Sequence, residues 1–319
     1  MILSIICVAL VAIAELIIIL VSPMWGMIIH AMILMCLVVG SSITIGSHPI
    51  CKLFVPTSCL TSIVETTGRK LMGSFLLGHR VKSLASALAF PIPGVSLNSN
   101  QPRSGVTLSI LLNPFPNSLS ERRLCLALVI VPLTRILSLA TPLEHLSINY
   151  WYFITAFPVL AAAFVLLKIL AIDPADIGLT LKRMPMQWVI AFTGIPLGFI
   201  EYLCLRPEPV ISNITWETVV LTSLIFLVAI AFVEELIFRG ILQHIATKVM
   251  GGWGLLFVAM AFAVLHIGYL SALDFVVVLM IGLYFGWIVQ QTKSLVGVTL
   301  SHGITNICLY LCIPLALQV

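Results

Sequence analysis

What this chain has least of is charge. Asp, Glu, Lys and Arg make up 9% of its 319 residues against 61% hydrophobic, and the mean hydropathy is +1.17. A soluble core of this size needs a far larger charged surface to stay dissolved, so a soluble globular domain is excluded. The net charge of +4 is ordinary, and no nucleic-acid partner is expected. Paired cysteines are missing as well. The eight cysteines include no CxxC, and most fall inside apolar runs where a thiol packs as a small hydrophobe, which excludes a zinc finger and a disulfide framework. The first run, "ILSIICVALVAIAELIIILV", has no basic region before it and no small-residue cleavage site. It is expected to be an anchor rather than a removed signal peptide. HExxH, GxSxG and GxGD are all absent, and with them several routes to hydrolysis.

What is present is a succession of apolar runs near the length that crosses a hydrocarbon layer about 30 Å thick. In lipid the backbone must satisfy its own polar groups, so these runs predict an all-α, polytopic transmembrane helical bundle. About nine spans are expected, at 2–22, 24–45, 124–140, 150–172, 188–205, 218–237, 253–270, 275–291 and 294–316. The organisation divides into an N-terminal two-span hairpin (1–45), an atypical connection rich in Ser, Pro, Gly and Asn (46–120), and a C-terminal domain (121–319). With the long connection cytoplasmic, Lys182, Arg183, Arg239, Lys248 and Lys293 fall on its side and Arg206 is left in an outer loop. The bias predicts a cytoplasmic N-terminus in a multi-pass protein; a bacterial plasma membrane is the expected location.

An ionisable side chain inside a span costs about 2.5 to 3.5 kcal/mol on insertion scales, so each one needs a partner or a task. Glu15 and Arg135 read as interior structural charges or a mutual pair, and His30 as a hydrogen-bonded packing residue. Glu201 and Arg206 sit near a span end, where long side chains reach the interface. Gly282 and Gly286 form a GxxxG that suits packing against a neighbouring span, with a dimer face as the alternative.

Three polar clusters on successive later spans stand apart: "VEELIFRG", "FAVLH" and "HGITN". Glu235 and Arg239 are spaced i, i+4 and suit an ion pair. Glu234 is turned by about 100° from its neighbour and stays uncommitted. His302 and Asn306 share a helix face, and Glu234, His266 and His302 all fall at depths of roughly 12 to 20 Å, near mid-bilayer. One buried cavity with a carboxylate, two imidazoles and an amide suits hydrolysis: the carboxylate takes a proton from water, and polar donors hold a developing oxyanion. A divalent metal such as zinc, held by Glu234, His266 and His302, is the alternative chemistry. A structural polar network and a proton or ion pathway use the same residues.

In order and spacing, "EELIFRG", "FAVLH" and "HGITN" resemble the motifs EExxxR, FxxxH and HxxxN of the CAAX prenyl protease 2 family, also called the CPBP intramembrane metalloproteases or Abi family. The resemblance covers roughly 120–316 and is best from 217 onward. It implies an intramembrane endopeptidase acting on a membrane-bound peptide or lipidated protein substrate near the cytoplasmic side, with the bilayer as its other partner. It further implies Glu234 as the water-activating base, His266 holding the same water, His302 and Asn306 stabilising the oxyanion, and Glu235 and Arg239 supporting them. Eukaryotic members remove the last three residues of isoprenylated proteins in CAAX-box maturation, while bacterial relatives include peptide-maturation and immunity proteins. The competing reading is a non-hydrolytic membrane protein, either a proton-coupled transporter or a bacteriocin-immunity-type partner.

Overall fold

The computed structural model describes residues 2–42, 119–140, 148–211 and 214–317, and the atypical connection expected over 46–120 lies almost wholly outside them. Among the described residues the structure is helical, without a strand. Helices α1 (Ile2–Leu20), α2 (Pro23–Ser42), α3 (Leu119–Ala140), α4 (Ile148–Ile169), α5 (Met184–Leu205), α6 (Trp216–Met250), α7 (Trp253–Val264), α8 (Ala272–Thr292) and α9 (Val296–Leu317) follow in order. Eight of them are long and apolar enough to cross a membrane; α7 is the shorter one. The surface is apolar where it meets lipid: Phe153, Phe157, Trp188, Phe192, Phe199 and Trp287 are all exposed. Charged side chains such as Glu15 and Glu235 are completely enclosed. That inversion of the soluble pattern is what a lipid solvent selects.

Two expected boundaries differ. The sixth span was expected over 218–237, but α6 runs unbroken for 35 residues, about 52 Å at roughly 1.5 Å per residue. Hydrophobicity falls where the ionisable groups enter, whereas the helix continues because those groups find partners inside the protein. Its middle carries two wide turns, Phe226–Phe232 and Leu236–Leu242, in which backbone bonds skip an extra residue; such turns flank functional side chains in many helices. In the opposite direction, α7 stops at Val264, short of the expected 270, and Ile267–Tyr269 forms a single tight turn.

α6 is the hub. It packs against α3, α4, α7, α8 and α9, and its Leu236, Ile237, Ile241 and Leu242 are among the most completely buried side chains. α9 lies between α6 and α5, and its starting point is fixed by the loop that precedes α5 and by the first turn of α5 itself. Leu295 N–H donates to Gly178 O (2.8 Å), Ser294 Oγ to Thr180 O (2.7 Å), and Gly297 N–H to Gln187 Oε1 (2.8 Å). Close approach along the rest of α9 requires glycine on α5. A Cβ at Gly198 would lie 2.6 Å from Cys308 Cβ and 2.7 Å from Thr305 O. The Gly282/Gly286 pair packs within the chain, facing Ala259 of α7 and Gln243 of α6.

At the N-terminal end, Arg135 of α3 binds Glu15 of α1 through two nitrogens, Nε at 2.7 Å from Oε1 and Nη2 on Oε2. His30 Nε2 of α2 lies 3.2 Å from Glu15 Oε1. The expected mutual pair is present, and it ties three helices together.

Candidate active site

The two adjacent glutamates of α6 have different surroundings. Glu235 is 0% exposed, whereas the Glu234 side chain keeps 33% of its surface open. Glu235 Oε1 accepts from Arg239 Nη1 at 3.0 Å, as the i, i+4 spacing predicts. The guanidinium lies over the Phe262 ring, 4.2 Å from its centroid, a cation–π contact that helps hold a charge away from water.

One contact was not anticipated from the sequence. Glu235 Oε1 also accepts from His302 Nδ1 at 2.8 Å, so this carboxylate joins α6 to α9 and sets the ring of the histidine. The spacing of "EELIFRG" announces the arginine partner but carries no signal for a residue 67 positions away. An ionised carboxylate only accepts, so Nδ1 carries the proton. The opposite nitrogen, Nε2, is left 3.8 Å from Glu234 Oε2, too long for a direct hydrogen bond and suited to a shared water.

His266 follows the end of α7 rather than continuing it, with φ −95° and ψ 0°. Its Nδ1 donates to Phe262 O at 3.1 Å, leaving Nε2 as an acceptor. The ring rests on Phe262, their centroids 4.7 Å apart. Phe262 therefore has a double function, packing under Arg239 and anchoring His266. Asn306 lies one turn beyond His302, 8% exposed, and its side chain makes no hydrogen bond among the described residues.

Glu234, His266, His302 and Asn306 line one cavity of about 410 Å³, the four residues that the sequence singled out. Its walls add Arg135, Tyr152, Glu201, Tyr269 and Tyr310. Glu201 departs from expectation: it does not reach the interface, being 8% exposed and part of the cavity wall. The direction of the cavity also differs. From mid-depth it runs along the C-terminal ends of α3 and α7 and the N-terminal end of α4, toward Val210 and Tyr310. That is the end of the bundle opposite Lys182, Arg183, Lys248 and Lys293.

The donor set does not form a ready metal cradle. Among the described residues no three His, Cys, Asp or Glu side chains are placed to hold an ion together. The local chemistry is that of a carboxylate facing an imidazole across a water-sized gap, with a second imidazole and an amide in the same cavity.

Residues 216–308 match the family described as type II CAAX prenyl endopeptidase, Rce1-like. This stretch contains α6 to α8 and most of α9, with every motif named above. No curated protein and no solved structure matches the chain.

Proposed function

We propose that Glu234 activates a water to cleave a peptide bond of a membrane-bound or lipid-modified substrate, a reading supported by the match of residues 216–308 to the CAAX endopeptidase family. The observation that carries this reading is the contrast between the glutamates: Glu235 is enclosed and bonded, and Glu234 is open to the cavity opposite His302.

In this mechanism the substrate carbonyl lies in the cavity alongside Glu234 and the α9 pair, whose His302 is too near Glu234 to admit it between them. Water, held between the Glu234 carboxylate and His266 Nε2, gives its proton to Glu234 as its oxygen bonds to the carbonyl carbon. The tetrahedral oxyanion accepts from the Asn306 amide and from His302 Nε2, for which the ring must carry both protons. Preorganised donors of this kind are worth about 2.7 to 4 kcal/mol each where one has been removed. Collapse breaks the C–N bond, and the proton held by Glu234 passes to the departing amine. No step passes through a metal ion. Glu235 and Arg239 hold His302 in place and do not touch the substrate.

The basic loops support an orientation with the N-terminus and the Lys182/Arg183 loop cytoplasmic, and the membrane proposed is a bacterial plasma membrane. The cavity then faces the outer half of the bilayer, and the substrate enters from there instead of from the cytoplasmic side. The test is comparative analysis of membrane peptides from cells carrying wild-type or Glu234→Gln protein at equal abundance. New N- and C-termini confined to the wild type support the reading. Proton-coupled flux dependent on Glu234 and His266, with no peptide cleaved, sinks it.

A further inference from the structure

The cavity contains a second acidic feature that the hydrolytic mechanism does not use. Glu201 of α5 lines the wall at 8% exposure and has no hydrogen-bond or ion-pair partner among the described residues. Asp274, in the first turn of α8, is 0% exposed, and neither of its carboxylate oxygens has a hydrogen-bond partner. Glu201 lies near enough to Asp274 to feel its charge, and Glu201 also acts electrostatically on Tyr269 and Tyr310. Those tyrosines are bonded to each other through their hydroxyls at 2.8 Å and line the same part of the cavity.

Among the described residues no lysine or arginine is free to pair with these acids, and His302, whose charge reaches Glu201, makes no hydrogen bond to it. Arg135, the arginine of the cavity wall, is bound by Glu15, Arg239 is bound by Glu235, and no lysine lines the cavity among the described residues. Acids within a membrane-spanning bundle are costly unless they pair or serve a ligand. Three other acids of the spans meet nitrogen partners: Glu15 has two, Glu235 has two, and Glu234 faces His302. The partner missing from Glu201 is a positive group, and the cavity that Glu201 lines is the route by which one arrives. Aromatic faces beside a carboxylate are a suitable receptor for ammonium or guanidinium.

We propose that Glu201, backed by Asp274 and flanked by Tyr269 and Tyr310, forms a subsite for a lysine or arginine side chain of the substrate. It rests on the reading that the cavity admits a peptide, but it requires no cleavage. Glu201 is thus a specificity-determining residue, and the substrate class narrows to membrane-anchored peptides with a cationic side chain near the scissile bond.

Binding tests this independently of turnover. Full-length Glu234→Gln protein in neutral maltoside micelles is titrated with fluorescent, acyl-anchored octapeptides. Lysine or its uncharged counterpart norleucine is placed at each position in turn, and anisotropy gives the affinities. At one position lysine should bind more tightly than norleucine by about ten- to a hundredfold, the range of a charged hydrogen bond. Adding Glu201→Gln should bring that ratio toward one while the norleucine peptide binds as before. A ratio unaltered by Glu201→Gln, or no position at which lysine exceeds norleucine, overturns the proposal. If Glu201→Gln does not fold, Glu201→Asp retains the charge on a shorter arm, and an undiminished lysine preference there is equally contradictory. Lysine-dependent binding without cleavage by the wild type leaves the subsite standing and removes the hydrolytic reading instead.

Discussion

Glu235 Oε1 accepts from Arg239 and His302, while Oε2 has no partner. Its substitution should therefore have two separable effects. Glu235→Gln leaves the Arg239 guanidinium uncompensated in the interior, which costs about 3 to 5 kcal/mol when a buried pair is broken; chemical denaturation in detergent measures this. It also releases His302, and a catalytic group misplaced by about 1 Å loses roughly a hundredfold in rate. A Glu235→Gln/Arg239→Met double variant should regain much of the stability but not the rate. Recovery of both would reduce Glu235 to a structural role. Asn306→Ala should lower kcat by about 10²- to 10³-fold, as loss of an oxyanion donor does, with the unfolding midpoint nearly unchanged. The i, i+4 spacing made the Glu235–Arg239 pair legible in the sequence, and mid-span depth did the same for Glu234, His266 and His302. The bond from Glu235 to His302 was not legible, because it depends on how two helices distant in sequence are rotated against each other.

Helix α9 carries His302 and Asn306, and its position depends on small residues in α5. At Gly198 an added Cβ meets Thr305 O and Cys308 within 2.7 Å, so a larger side chain must push the two helices apart. Gly198→Val should destabilise the protein by about 1 to 3 kcal/mol, the usual cost of overpacking, and lower activity further by moving His302. Gly252→Ala, where nothing lies within 4 Å of the added carbon, is the control expected to change neither. Gly194 and Gly198 have the same GxxxG spacing as Gly282 and Gly286, and that pattern was available in the sequence. The full extent of α6, to Met250, was less so, since the apolar run ends at Glu234–Arg239 and hydropathy alone places the span end there. The early stop of α7 was equally hidden, because an apolar run continues through it.

At the scale of the whole molecule, the basic loops and the cavity occupy opposite ends of the bundle. In a chain whose other cysteines are replaced, Val210→Cys should react with an impermeant maleimide in intact cells, and Lys182→Cys only after permeabilisation. The reverse pattern inverts the orientation and returns the cavity to the cytoplasmic side. Composition alone made the helical bundle legible, because a chain with 9% charged residues has few alternatives. The cavity's direction required the helices in place. The central claim is that Glu234, of all the acids in this bundle, activates the water. It is tested most directly by reconstituting wild-type and Glu234→Gln protein, matched for folded amount, and timing cleavage of one anchored peptide that the wild type cuts. The account predicts a fall of about 10²- to 10⁴-fold, the usual contribution of a general base, with peptide affinity and unfolding midpoint preserved. Cleavage by Glu234→Gln at the wild-type rate would contradict it.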